Sequence, residues 1–275
     1  MPEGDTVFQT ATQLRGALAG RVLAHTDFRV PRYATVDFAG RRVLAAESRG
    51  KHLLVRFEGN VTLHTHLRMD GAWRVQAAGG RVGGSPRDQV RVVLANDAYT
   101  AIGLRLPVVD LVRTAEESRV VGHLGPDLLG AGWDADEAVR RLAARPGRPI
   151  GEALLDQRNL AGVGNVYRAE LCFLRGVSPF VRVDAAGDLH AMVDLAKRAL
   201  EANRERHGHV TTGDPRPGHQ HWVYGRAGRP CRRCGTPIRK AEAGEPPRVV
   251  FWCPRCQLDV RDARSDAWSD ARGAR

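Results

Sequence analysis

Lysine is nearly missing from this chain. Of its 42 Lys and Arg residues, only Lys51, Lys197 and Lys240 are lysines. Arginine is used almost everywhere else, so the lysine in "SRGKHLL" (48–54) asks for a reason. Long apolar runs are lacking too. No stretch approaches the roughly 20 residues that cross a bilayer, and no basic amphipathic helix stands out as a membrane anchor. The start, "MPEGDTVFQ", is acidic and then amphipathic, without the basic opening and apolar core of a secretory signal. The expectation is a cytoplasmic protein with no membrane partner. Internal repeats are absent. Cysteine is scarce, five in 275 residues, and four of the five fall in two close pairs.

What is abundant is positive charge. Formal net charge is +11, and residues 204–275 carry 15 Lys/Arg against 8 Asp/Glu, so +7 of it sits in the last quarter. Such a field attracts polyanions, nucleic acid first and anionic membrane second. A protein that is merely basic is the plain alternative. The length allows one large or two modest domains, each with a real core.

The pattern along the chain is α+β. Residues 2–18 predict a helix, with Val7, Ala11, Leu14 and Leu18 at helical spacing and Gly20 as the stop. Residues 20–112 are β-rich. "RRVLAAES", "HLLVRFE", "VTLHTHL" and "GAWRVQ" have strand composition, and "QVRVVLAND" with "AYTAIGLRL" predicts a hairpin across Asn96-Asp97. "AAGGRVGGSPRD" is a loop. Helices are expected over 134–145 and 194–207. Between them "IGEALLDQRNLAGVGNVYRAELCFLRG" reads as helix, glycine turn, helix. From Trp222 onward short Cys-bearing strands follow, and the polar stretch after Asp259 predicts a frayed tail.

The cysteines form "CRRC" (Cys231, Cys234) and "CPRC" (Cys253, Cys256). Two-residue gaps make tight knuckles, and two knuckles complete a tetrahedral four-thiolate zinc site with no position left for substrate. Such a zinc is structural. Disulfides are the alternative, disfavoured without a secretory signal. Cys172 lies alone in an apolar helix and reads as core. Arginines on the finger suit phosphate contact, although zinc units also serve protein–protein contacts. Glycines ahead of a helix beginning near Asn165 would let a phosphate approach its backbone amides; a purely structural turn is the common alternative. His64 and His66, two apart on a strand, read as strand packing rather than a metal pair. His207, His209, His219 and His221 read as an exposed loop, or a loop over a ligand, before a second metal site.

Taken together, "MPEGD", "SRGKHLL", "NLAGVGNVY" and "VYGRAGRPCRRCGTPI…RVVFWCPRCQ", in that order over residues 1–257, resemble the Fpg/Nei family of DNA glycosylases. "PEGD", "HLRMDGAWRV" and "HLGPDLL" are more similar to its endonuclease VIII branch. The resemblance implies an N-terminal β-sandwich flanked by helices (1–118), a helix–two-turns–helix module (128–221), a four-cysteine zinc finger (222–258) and a tail (259–275). It implies a base-excision-repair enzyme, a bifunctional glycosylase/AP lyase that excises oxidised pyrimidines and cleaves the abasic strand. An oxidised-purine (formamidopyrimidine) enzyme and a non-catalytic zinc-finger damage-binding protein are the alternatives. It further implies one structural zinc, damaged double-stranded and also single-stranded DNA as partner, and a monomer associated with the nucleoid.

By the same resemblance the nucleophile is the amine of Pro2 once Met1 is removed, and Glu3 is the general acid/base. Lys51, Asn165 and Arg248 grip phosphates beside the extruded nucleotide, and Met69 fills the gap it leaves. Elementary chemistry agrees. An α-amine titrates near pH ~8, well below lysine, and the positive end of a helix lowers it further. An unbranched apolar side chain suits a wedge. Without the resemblance, Pro2 and Glu3 are ordinary helix-start residues, Lys51 a surface cation and Met69 core. The family often carries a second glutamate where this chain has Thr6; Asp5 is the weak substitute. Companion void-filling residues around "AIGLRLP" are not recognisable.

Overall fold

The computed structural model describes residues 2–79, 87–206 and 208–257. The expectations for the tail after Asp259, for the middle of the glycine-rich loop and for His207 fall outside them. The chain divides into two compact units, 1–123 and 124–275.

The first unit begins with α1 (Gly4–Leu18). Eight strands follow among the described residues: β1 (His25–Phe28), β2 (Val43–Arg49), β3 (His52–Phe57), β4 (Val61–His66), β5 (Ala72–Ala77), β6 (Val90–Ala95), β7 (Tyr99–Leu104) and β8 (Val108–Arg113). They form two four-stranded antiparallel sheets, ordered β1-β6-β7-β5 and β2-β3-β4-β8. One core lies between them. Phe28, Val92, Leu94 and Trp73 come from one sheet and Leu53, Val55, Phe57 and Leu63 from the other. The apolar stripe of α1 (Val7, Ala11, Leu14, Leu18) is buried in the same core, as its spacing requires. The Asn96-Asp97 turn is fixed by its asparagine. Asn96 Oδ1 accepts from the Ala98 and Tyr99 amides at 3.0 and 2.8 Å, and Nδ2 donates to Ala17 O at 2.9 Å. A short helix α2 (Ser118–Val121) follows β8.

The second unit contains α3 (Ala135–Ala143), α4 (Ile150–Leu155), α5 (Asn165–Leu174) and α6 (Leu189–Asn203), then a hairpin of β9 (Arg239–Ala243) and β10 (Arg248–Trp252). Helix α5 is buried on every side. Tyr167 and Leu171 join a helical core with Leu142, Ile150, Leu154 and Val193. Ala169 and Phe173 join a second core with Val223, Ile238, Cys231 and Cys253. A helix this enclosed can serve as the shared wall of two modules.

Three local expectations change. Helix α6 spans 189–203 rather than 194–207, because Asp188 caps it by accepting from the Ala191 amide at 3.0 Å. Strands β1 and β8 enter through tertiary pairing. The finger strands carry no cysteine; the cysteines sit in the turns beside them.

Candidate functional site

Helix α1 is aligned on β2 by two contacts. Arg15 Nε donates to Ala46 O at 3.0 Å, and Gly20 N donates to Val43 O at 2.8 Å. The helix therefore climbs back along the strand from its own C-terminus. Twelve residues from Arg15 to Glu3 rise about 18 Å. Ala46 to Arg49, the end of β2, extends about 10 Å, and the turn bearing Lys51 follows it. Both paths run the same way along β2, so Pro2, Glu3 and Lys51 lie toward one end of the sandwich. Pro2 is half-buried. Glu3 is fully buried and Asp5 nearly so. Glu3 O accepts from Val7 N at 3.0 Å to open the helix, and Asp5 Oδ1 accepts from Thr6 N at 2.7 Å. Both carboxylates stand at the positive end of α1, where the helix dipole favours negative charge.

Lys51 lies at a hairpin tip. Arg49 pairs with His52, leaving the two-residue turn Gly50-Lys51. Gly50 has φ +56°, a conformation glycine adopts without strain, and glycine first is what a type II′ turn prefers. Strand β4 runs back to the same end, since His66 pairs with His52. The loop after it holds Met69, which is 62% exposed. Gly71 closes this loop, donating to Leu67 O at 2.9 Å; a Cβ there would lie 2.6 Å from that oxygen. Arg105, at φ +46°, donates from Nε to Asp70 O at 3.2 Å and so joins the Met69 loop. Met69 is thus presented at the surface rather than packed in the core.

In the second unit, Asn165 opens α5 and is 7% exposed. Its Nδ2 donates to Val249 O at 2.9 Å. Arg168, buried in the same helix, donates from Nη2 to Val249 O at 2.7 Å and also to Asn165 Oδ1. Arg248, exposed, is the neighbour of Val249, so the helix start and the finger hairpin meet through one carbonyl. A cavity of about 130 Å³ beside them is lined in part by Arg148, Arg168 and Arg248. Glu170, fully buried, accepts from the amides of Trp222, Val223 and Tyr224 at 2.8, 2.9 and 2.8 Å and from the Thr211 hydroxyl. It ties the chain leading into the finger to α5.

The four cysteine sulfurs lie within 4.8 Å of one another. Cys231 to Cys256 is 3.9 Å and Cys234 to Cys253 is 3.5 Å. A tetrahedron with ~2.3 Å metal–sulfur bonds has edges of ~3.8 Å, so this set fits a thiolate-bound metal ion. Hydrogen bonding by Thr236 pulls the Cys234 thiol below its usual range, while burial pushes Cys253 and Cys256 up. A bound cation lets all four stand as thiolates. Among the described residues no other group of three or more ligand atoms is drawn together in this way. Cys172 is pure core, its thiol pushed up to about 12 by burial.

The sequence-derived residues thus fall in two sets, Pro2, Glu3, Lys51 and Met69 in the first unit and Asn165, Arg248 and the cysteines in the second. Arg105, Arg168, Glu170 and a group of histidines around His52 were not anticipated. For Arg168 and Glu170 a signal existed, two charges inside the otherwise apolar "NVYRAELCFL".

The profile of the formamidopyrimidine-DNA glycosylase N-terminal domain matches residues 1–111, and that of the formamidopyrimidine-DNA glycosylase H2TH domain matches 124–204. A probable endonuclease 8 2 from Streptomyces coelicolor is 58% identical over 264 residues, 94% of each chain. The DNA-(apurinic or apyrimidinic site) lyase Nei2 of Mycolicibacterium smegmatis is 49% identical over 257 residues, 94% of this chain and 99% of that one. In fold the chain is similar to Lactococcus lactis Fpg, solved with abasic-site DNA, with a TM-score of 0.77 at 21% identity over 94% of this chain and all of that one. No helix among the described residues is long and apolar enough to cross a membrane. The chain belongs to the formamidopyrimidine-DNA glycosylase and endonuclease 8 family.

Proposed function

We propose that this protein is a bifunctional DNA glycosylase/AP lyase of the endonuclease 8 type, excising oxidised pyrimidines. Its family, with relatives named endonuclease 8 and AP lyase, supports the class of reaction. What supports the mechanism is the alignment of α1 on β2, which runs the start of the helix toward the end of the strand that bears the Lys51 turn.

In this reading the amine of Pro2, freed by removal of Met1, attacks C1′ of the damaged nucleotide. The C1′–N bond breaks, and cleavage of the C1′–O4′ bond then opens the sugar; the departing base and the ring oxygen take up the two protons that the Pro2 amine and Glu3 release. A C1′ iminium results. It acidifies the C2′ proton; loss of that proton breaks the C3′–O bond and cuts the strand. Lys51, Asn165 and Arg248 hold flanking phosphates. That offsets the few kcal/mol that turning out a nucleotide costs. Lysine places a compact charge where the wide guanidinium fork of arginine would crowd a two-residue turn. Met69 enters the gap, with Arg105 as the neighbouring candidate. The four cysteines would hold one zinc ion, which supplies structure and keeps the finger arginines in place.

The rest of the reading is the four-part organisation given above, action as a monomer on damaged duplexes and on single strands, and work in the nucleoid. Matched duplexes carrying an oxidised pyrimidine or an oxidised purine separate the two branches. Borohydride trapping on abasic-site DNA, with the adduct mapped by mass spectrometry, tests the chemistry. A covalent adduct at Pro2 is expected; its absence in correctly processed protein refutes the mechanism.

A further inference from the structure

Strands β3 and β4 alternate. Leu53, Val55, Phe57 and Leu63 point into the sandwich, so their even-numbered neighbours share the opposite face. One end of that face holds an ion-pair group, Arg56 with Glu117 and Glu47 at 2.7 and 2.6 Å. The other end holds histidines. His52 Nδ1 lies 2.8 Å from His64 Nε2, and the two ring planes are within 18° of each other with centroids 5.1 Å apart. His66 and His123 set their edges against His52 at 4.9 and 5.9 Å. Behind the pair, Asp110 Oδ2 is 3.8 Å from His64 Nδ1. The Arg68 amide donates to His66 Nδ1 at 2.9 Å. His52 Nδ1 and His64 Nε2 are committed to each other and His66 Nδ1 to the Arg68 amide, while His64 Nδ1 is buried without a hydrogen-bond partner among the described residues; these histidines are not drawn together as a metal-binding group.

The pair has a strict proton requirement. Two ring nitrogens 2.8 Å apart accommodate one hydrogen between them, so the contact needs one donor and one acceptor. Proton uptake on both facing nitrogens breaks it. The groups facing the pair are Lys51 in the turn, His66 on β4 with Arg68 beyond it, Asp110 on β8, and His123 after α2. Only Asp110 favours charge on these rings. Burial, followed by the neighbouring His66, His64, His123 and Lys51, holds His52 down to about 3. Burial also lowers His64.

His52 directly follows Lys51. Its ring is gripped from three sides and its backbone is in register with both Arg49 and His66. We propose that His52 and His64 are positioning residues for Lys51, a hydrogen-bonded pair that fixes the Gly50-Lys51 turn for phosphate contact as long as one of the two facing nitrogens stays unprotonated. This rests on the phosphate-clamp reading of Lys51 given above.

The test uses the full-length, zinc-loaded protein, single-turnover cleavage of an abasic-site duplex and equilibrium binding to the same DNA, from pH 5 to 8. His64→Leu removes the hydrogen bond and is expected to slow cleavage and weaken binding roughly tenfold, the scale of a small misplacement. His64→Gln, which can still bond His52, should recover most of the loss. Adding His64→Leu to Lys51→Ala should cost nothing further, because the pair acts through the lysine. A merely structural role gives additive losses and no amide rescue, and either of these overturns the proposal. So does a His64→Leu protein with the wild-type rate and profile. If His64→Leu does not fold, His52→Gln is read in the same way. Wild-type turnover by Lys51→Ala alone refutes the clamp itself; impaired Lys51→Ala beside unchanged His64→Leu refutes only the positioning pair.

Discussion

Replacing Glu170 by glutamine should detach the approach to the finger from α5. In the native side chain, Oε1 accepts from Val223 and Tyr224 at 2.9 and 2.8 Å, and Oε2 accepts from Trp222 at 2.8 Å and from Thr211. The amide oxygen of glutamine can keep the first two bonds. Its NH₂ group then faces the Trp222 amide, two donors with no acceptor between them. The Thr211 hydroxyl can rotate and accept, so one backbone donor is orphaned. An unsatisfied buried donor costs about 1–3 kcal/mol. The retained bonds lose charge assistance and about half their strength. The sum is about 2–4 kcal/mol against the 5–15 kcal/mol of a typical domain. The assay is hydrogen exchange on peptides covering 222–224, where that cost appears as about 30- to 700-fold less protection. Trp222 fluorescence reports the same event, since its ring stacks on Phe173 at 5.5 Å. Unchanged protection at these three amides would show that Glu170 does not hold this segment.

Two further outcomes follow from charge. DNA affinity should fall steeply between 50 and 200 mM salt, and Lys51→Ala should reduce the slope of log K against log salt by about 0.9, one phosphate contact, with zinc content intact; an unchanged slope removes Lys51 from the interface. Acid should destabilise the first unit from the histidine face. Burial is the first cause lowering His52 to about 3, His66 to about 4, and His64 below the ordinary value. The unfolded chain then binds these protons first, so stability is complete above about pH 6.5 and lost as pH falls toward 4, at up to about 1.4 kcal/mol per pH unit for buried His64. The half-buried rings contribute less because solvent screens them. Urea midpoints at pH 7.5 and 5.5 measure this, and His64→Leu should flatten the difference.

Much of this was legible in the sequence, and the rest was hidden for identifiable reasons. The helix of residues 4–18 follows from the spacing of its apolar residues, and the strands carrying Leu53, Val55 and Leu63 follow from their composition between turn residues. The cysteine set follows from spacing, because two knuckles leave a tetrahedron little choice. Strands β1 and β8 did not follow. His25–Phe28 is four residues long and Val108–Arg113 is half-exposed throughout, so pairing with β6 and β4 decides them, not composition.

The histidine face was hidden for a related reason. His64 and His66 showed as an i, i+2 pair, which is ordinary strand packing. What makes them unusual is His52, brought alongside by the β3–β4 register, and His123, returned from 57 residues beyond His66. No local window contains all four. The same register answers the question raised by the scarce lysine. "SRGKHLL" reads in sequence as a cation ahead of an apolar run; in the fold it is a hairpin tip whose next residue is locked against a second strand. Charge alone would leave Lys51 interchangeable with any of the chain's arginines. Gly50 at positive φ lets the chain reverse in two residues, so Lys51 stands in a tight turn whose next residue is clamped. The geometry of its turn, more than its rarity, singles out Lys51.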